Sequence, residues 1–160
     1  MEIKYLKKLK ENPTINRRTI KGISEDAIKK IEKRLNVKFP LVYKEFLYLA
    51  GDYTGGLRLA EGNSSIDMLV KDDVRKKLEK SIEQFQIPIN KPFWVISEKD
   101  GFQQFFFFYL NEGTENPAVW FTTYGEDDED PNILIKLNDT FSQFVDELVD
   151  KSILFAQRGY

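Results

Sequence analysis

The sequence predicts an α+β fold, a single domain over residues 1–160 in which a mainly antiparallel sheet carries flanking helices. Two patterns predict it. Apolar residues recur at helical spacing through most of the first half, and short apolar stretches separated by turn residues follow one another in the second. Runs of strands beside runs of helices, without regular alternation, are the mark of an α+β chain. The 160 residues, 41% hydrophobic and 14% aromatic, supply one real core and exclude a disordered chain.

The elements follow in order. Ile3, Leu6 and Leu9 lie at helical spacing, Asn12-Pro13 ends that helix, and residues 12–22 read as a connector. Ser24 then caps a helix with Glu25 and Asp26 in its first turn, where carboxylates favour the positive end of the dipole. Ile28, Ile31 and Leu35 form its inner face, and Lys29, Lys30 and Lys33 its wet one. Pro40 opens a second helix with a Val42, Phe46, Leu49 stripe, and Tyr43, Leu47 and Ala50 lie beside it. Gly51 stops it, and Asp52-Tyr53-Thr54-Gly55-Gly56 reads as a glycine loop. Short strands are expected at 57–59 and 66–70. Val74, Leu78, Ile82 and Phe85 mark a third helix behind Asp72-Asp73. Strands are expected at 93–97, 102–110, 118–123 and 133–137, with a closing helix from about Asp139 through Phe141, Phe144, Val145 and Leu148.

Two zeros narrow the chemistry. The chain has no histidine and no cysteine. That removes Ser-His-Asp and Cys-His nucleophiles, Cys/His metal cages and disulfides. No serine sits in an elbow motif, no carboxylate pair stands out, and Gly55-Gly56 lacks the Gly-Lys-Ser/Thr ending of a phosphate loop. We therefore expect no catalysis, cofactor or metal. The N-terminal residues carry no apolar stretch of signal-peptide length, and the longest apolar run, Phe105 to Leu110, is far short of the ~18 residues of a membrane helix. A cytoplasmic protein with no membrane contact is the expectation.

Charge is uneven although the net is −2. Residues 1–40 hold 12 Lys/Arg against 5 Asp/Glu, whereas residues 121–160 hold 3 against 9. Either the two ends fold against each other, or the acidic end faces a basic partner. The sharpest feature of that end is Glu126-Asp127-Asp128-Glu129-Asp130. Such a run is solvated, holds a cation, or meets a basic protein; it lacks the spaced carboxylates and sixth-position glycine of an EF-hand loop.

Phe105-Phe106-Phe107-Phe108-Tyr109 puts aromatic rings on both faces of one strand, as in a central strand covered on both sides. A base-stacking platform is the competing reading. The absence of Lys and Arg between Gly101 and Ile135 argues against it, so no direct nucleic-acid contact is expected.

Three blocks in this order resemble the SUKH superfamily over about residues 23–150. The first is Ile23-Ser24-Glu25-Asp26 to Leu35, Phe39-Pro40 with Tyr43-Lys44-Glu45-Phe46-Leu47, then Gly51 and Gly55-Gly56. The second is Phe93-Trp94-Val95-Ile96 leading into the aromatic strand. The third is Pro117-Ala118-Val119-Trp120-Phe121 with Phe141-Ser142-Gln143-Phe144-Val145. The superfamily includes a yeast cell-wall-assembly regulator and many bacterial immunity proteins. The resemblance implies a non-enzymatic immunity protein that binds and neutralises a cognate polymorphic toxin, a basic nuclease being one such partner. A regulatory scaffold that binds cellular proteins is the alternative, and a carboxylate-dependent hydrolase or small-ligand binder comes third. The residues expected to meet the partner are Glu126, Asp127, Asp128, Glu129 and Asp130, with Asp52 and Tyr53 at the glycine loop. Oligomeric state is left open.

Overall fold

A computed structural model describes residues 1–59, 63–123 and 133–159. Its elements run α1 (Lys7–Glu11), β1 (Thr14–Ile15), β2 (Arg18–Thr19), α2 (Glu25–Leu35), α3 (Leu41–Ala50), α4 (Ile66–Leu69), α5 (Asp72–Gln84), β3 (Phe93–Lys99), β4 (Gln104–Tyr109), β5 (Val119–Thr123), β6 (Ile133–Asn138) and α6 (Phe141–Gln157). The α+β expectation holds. Strands β3-β4-β5-β6 form one antiparallel meander in sequence order, and β1-β2 form a small hairpin.

Local signals account for the helix ends. Ser24 Oγ accepts from the Ala27 N–H at 3.1 Å, and Thr140 Oγ1 accepts from Gln143 at 3.3 Å. At the far end of α2, Asn36 adopts φ 50°, and the Val37 N–H returns to the Glu32 carbonyl at 3.0 Å. Gly51 ends α3 for a different reason from the one expected. Its φ is −69°, and a Cβ there would lie 2.6 Å from the Leu47 carbonyl oxygen, so the position needs space rather than left-handed freedom.

The aromatic strand is core. In the centre of the meander, Phe108 packs edge-on against Tyr43 and Phe141, with centroids 5.1 and 5.9 Å away, and Phe106 meets Phe144 at 5.5 Å. One sheet face therefore rests on α3 and α6. On the other face Phe107 contacts Phe93 and Tyr109, and Phe105 contacts Phe93 and Phe102. Phe105, Phe107 and Phe108 are fully buried. At several kcal/mol for burying side chains of this size, these rings dominate the core.

Several polar groups inside it are paired. Trp94 Nε1 donates to Tyr43 Oη at 2.8 Å, and Thr122 Oγ1 accepts from the Phe105 N–H at 3.1 Å. The fully buried Glu45 accepts three backbone N–H groups, from Lys4, Tyr5 and Leu6, at 2.7, 2.9 and 3.0 Å. It thereby fastens the segment that opens α1 onto α3.

The structure corrects several expectations. Residues 66–70 are not a strand: Ile66, Leu69 and Val70 are buried at i, i+3 and i+4, the spacing of the helical turn α4. Leu57 and Leu59 are buried without strand pairing. The connector at 12–22 contains the β1-β2 hairpin, turning through Asn16 and Arg17 at φ 49° and 61°, the two positive values of a type I′ turn. Phe102 lies in the turn before β4 at φ 70° rather than in the strand. The first helix is displaced to Lys7–Glu11, although Ile3, Leu6 and Leu9 are all buried as their spacing implies.

Candidate protein-binding surface

The glycine loop is built against the hairpin. The Lys21 N–H donates to the Tyr53 carbonyl at 2.8 Å, and the N–H groups of Asp52 and Tyr53 both donate to the Lys21 carbonyl at 3.0 Å. This pairing leaves both side chains outward, Tyr53 being 42% exposed. Gly55 has φ +62°, and a Cβ on Gly56 would lie 2.2 Å from the Ile15 carbonyl oxygen. The two glycines thus let the loop lie directly on β1. Beyond them the Arg58 N–H donates to Ser152 Oγ at 2.9 Å, and the Arg58 guanidinium sits 4.2 Å from the Phe155 ring centroid. A cleft of about 420 Å³ opens there, with Arg18, Arg58 and Phe155 in its walls. Asp52 and Tyr53 are themselves joined to the backbone of Lys21.

A second exposed region lies at the β6 edge of the meander. Strand β6 has no further partner strand among the described residues. Its alternate residues Ile133, Ile135 and Leu137 share one face and are 48%, 40% and 40% exposed. The row Phe106, Phe121, Ile135 crosses three neighbouring strands by direct pairing. Phe144 of α6 covers its beginning, at Phe106, while Ile135 lies open. Lys136, on the other face, is held by Asp139 at 2.6 Å. Sequence reasoning missed this stripe, because Ile133-Leu134-Ile135 lacks the polar alternation that flags an exposed face. The signal that was present is a strand at the end of a meander, whose outer edge and outermost side chains have least cover.

The acidic run Glu126, Asp127, Asp128, Glu129 and Asp130 lies outside the described residues, so the structure brings only Asp52 and Tyr53 of the expected contact residues into view. In sequence, the run ends three residues before Ile133. Part of the charge asymmetry has an internal outlet. Lys8 of α1 pairs with Asp150 of α6 at 2.8 Å, and Lys4 with Glu115 at 3.1 Å. The chain's basic beginning does fold against acidic groups of its second half.

The order of elements from Ser24 through α6, the glycine loop after α3 and the aromatic central strand are the features of the SUKH resemblance, now seen in one body. The model of the SMI1 / KNR4 family (SUKH-1) matches residues 22–147. The chain belongs to that family. The matched span takes in α2, α3, the glycine loop, the whole meander and the first part of α6. The hairpin and α1 precede the matched span, and Glu45 within it holds the segment that opens α1. No curated protein matches the chain. No helix among the described residues is long and apolar enough to cross a membrane.

Proposed function

We propose that this SUKH-1 chain is a non-enzymatic immunity protein of the cytoplasm that binds and neutralises a cognate toxin bearing a basic surface, as a nuclease does. One observation carries the reading: the open Ile133, Ile135, Leu137 stripe on an edge strand that five consecutive acids almost directly precede in sequence. A partner-binding patch combines an apolar centre with a polar rim, and apolar side chains gathered on one exposed face mark such sites. Carboxylates so close to it in sequence would steer a cationic partner and speed encounter, while the apolar stripe would slow dissociation. Asp52 and Tyr53 form a second candidate contact, since an exposed tyrosine on a fixed backbone loses little entropy on binding. The superfamily's immunity proteins supply the partner class, and the absence of histidine and cysteine from the sequence fits a role without covalent chemistry.

The test is titration calorimetry and stopped-flow association with the toxin-like product of a neighbouring reading frame. We expect tight binding whose association rate falls steeply with salt. Binding to cellular proteins alone, with no toxin-like partner, would assign the chain to the regulatory-scaffold role instead.

A further inference from the structure

The cleft of about 420 Å³ between the hairpin, the glycine loop and the end of α6 is bordered by Arg18 and Arg58, and no carboxylate is among its lining residues. Neither guanidinium forms an ion pair among the described residues, although the chain as a whole is acidic. Both side chains are exposed, so a ligand can reach them. The negative end of the α6 dipole, worth about half a charge, offsets only part of these two full charges.

Arg58 is held in place. Its N–H donates to Ser152 Oγ, which in turn donates to the Leu148 carbonyl at 2.6 Å, and its guanidinium rests on the Phe155 ring. Stacking on a ring occupies the flat face of a guanidinium and leaves its N–H edge for an acceptor. Gly55 and Gly56 line the same cleft, and their N–H groups have no acceptor among the described residues. Backbone donors of a tight turn beside basic side chains are a recurring setting for anions.

Charge and size then choose the ligand. A guanidinium fork pairs with two oxygens of a phosphate, and arginine is the preferred residue for that recognition. Two guanidinium groups match a dianion, which a phosphate monoester becomes above its second pKa of about 6. A phosphoryl group fills only part of the cleft, and Leu57, Phe155 and Ala156 give an apolar wall to an organic remainder. We propose that this cleft binds a small phosphate monoester, its phosphoryl group on Arg18 and Arg58. The site uses none of the residues assigned to toxin binding and stands or falls apart from that reading.

Phenyl phosphate, phenyl sulfate and inorganic phosphate are the probes, titrated into the full chain at low salt and followed by amide chemical shifts. Phenyl sulfate has the same ring and shape with a single charge. Phenyl phosphate is expected to give saturable shifts centred on Arg18, Gly55, Gly56 and Arg58. At about pH 7.5 it should bind about tenfold more tightly than phenyl sulfate, the difference one further charged contact makes. It should also bind more tightly than inorganic phosphate, which has no group for the apolar wall. Its affinity should fall severalfold toward about pH 5 as the ligand loses its second charge, and the chain has no histidine to titrate in that window. Arg18→Gln and Arg58→Gln, both at exposed positions, should each weaken phenyl phosphate about tenfold at an unchanged melting temperature. Should either variant fold poorly, the comparison of ligands on the unaltered protein decides by itself. Equal affinity for phenyl phosphate and phenyl sulfate, inorganic phosphate binding as tightly as the ester, shifts centred on the lysines of α2, or no saturable shift at roughly 10 mM, a generous limit for a ligand of this size, would overturn the proposal.

Discussion

Glu45 accepts the backbone N–H of Leu6 at 3.0 Å from a fully buried position on α3. With the Lys4 and Tyr5 amides on the same carboxylate, a single side chain receives three main-chain donors from the segment that opens α1. Removing it leaves all three without their acceptor. Glu45→Ala should lower stability by about 3 kcal/mol or more, since each unsatisfied buried donor costs about 1–3 kcal/mol. Urea denaturation measures the loss, and hydrogen exchange should show the amides of residues 4–6 opening first.

The two central phenylalanines should separate. Phe108 is fully buried between Tyr43 and Phe141, so Phe108→Ala should cost about 3–5 kcal/mol. Phe106 is only half-buried, on Phe121 and Phe144, and its truncation should cost about 1–3 kcal/mol. Equal and small losses in urea midpoints would mean that the sheet is not covered as described.

Burial holds the Tyr43 hydroxyl well above the usual tyrosine range, against the smaller opposing effect of the Trp94 N–H. The folded chain therefore keeps this proton at pH values where the unfolded chain has lost it. The stabilisation is complete below about pH 10, the ordinary tyrosine value, and is lost as pH rises above it. Tyr43→Phe should cost about 1–2 kcal/mol at neutral pH by leaving Trp94 Nε1 unpaired. The same variant should show a shallower fall in stability above pH 10, as measured by urea midpoints across alkaline pH.

Much of the fold is legible in the sequence because its signals are local. Ser24 before Glu25-Asp26, the apolar faces of α2, α5 and α6, and four strands between turn residues all depend on near neighbours. The errors fall where the deciding contact is distant or the pattern short. Four residues from Ile66 fit a strand or a helical turn equally well until their surroundings choose. Glu45, between Lys44 and Phe46, reads as an ordinary charged helix residue, because the amides that bury it lie about forty positions earlier. The exposed β6 stripe was hidden because its apolar residues look like core, and only its place at the sheet edge uncovers it.

The acidic run should matter for encounter and little for folding. Five adjacent like charges repel one another, and surface ion pairs are worth only about 0–1 kcal/mol, so replacing Asp127, Asp128 and Asp130 with Asn should leave the melting temperature nearly unchanged. With the cognate partner, association should slow and lose much of its salt dependence. An unchanged rate at low salt would remove these carboxylates from the contact. Calcium-dependent stabilisation absent from the Asn variant would assign them to a metal loop instead.

Growth rescue tests the binding account most directly. Cells producing the neighbouring toxin-like protein would be supplied with this chain or with its Ile135→Glu variant, which alters an exposed position and should keep its melting temperature. The account predicts that the unaltered chain restores growth and that the variant, equally folded and abundant, does not. Full rescue by Ile135→Glu would exclude the β6 stripe from the contact. No rescue by the unaltered chain, with no complex between it and the toxin-like protein, would contradict the immunity function itself.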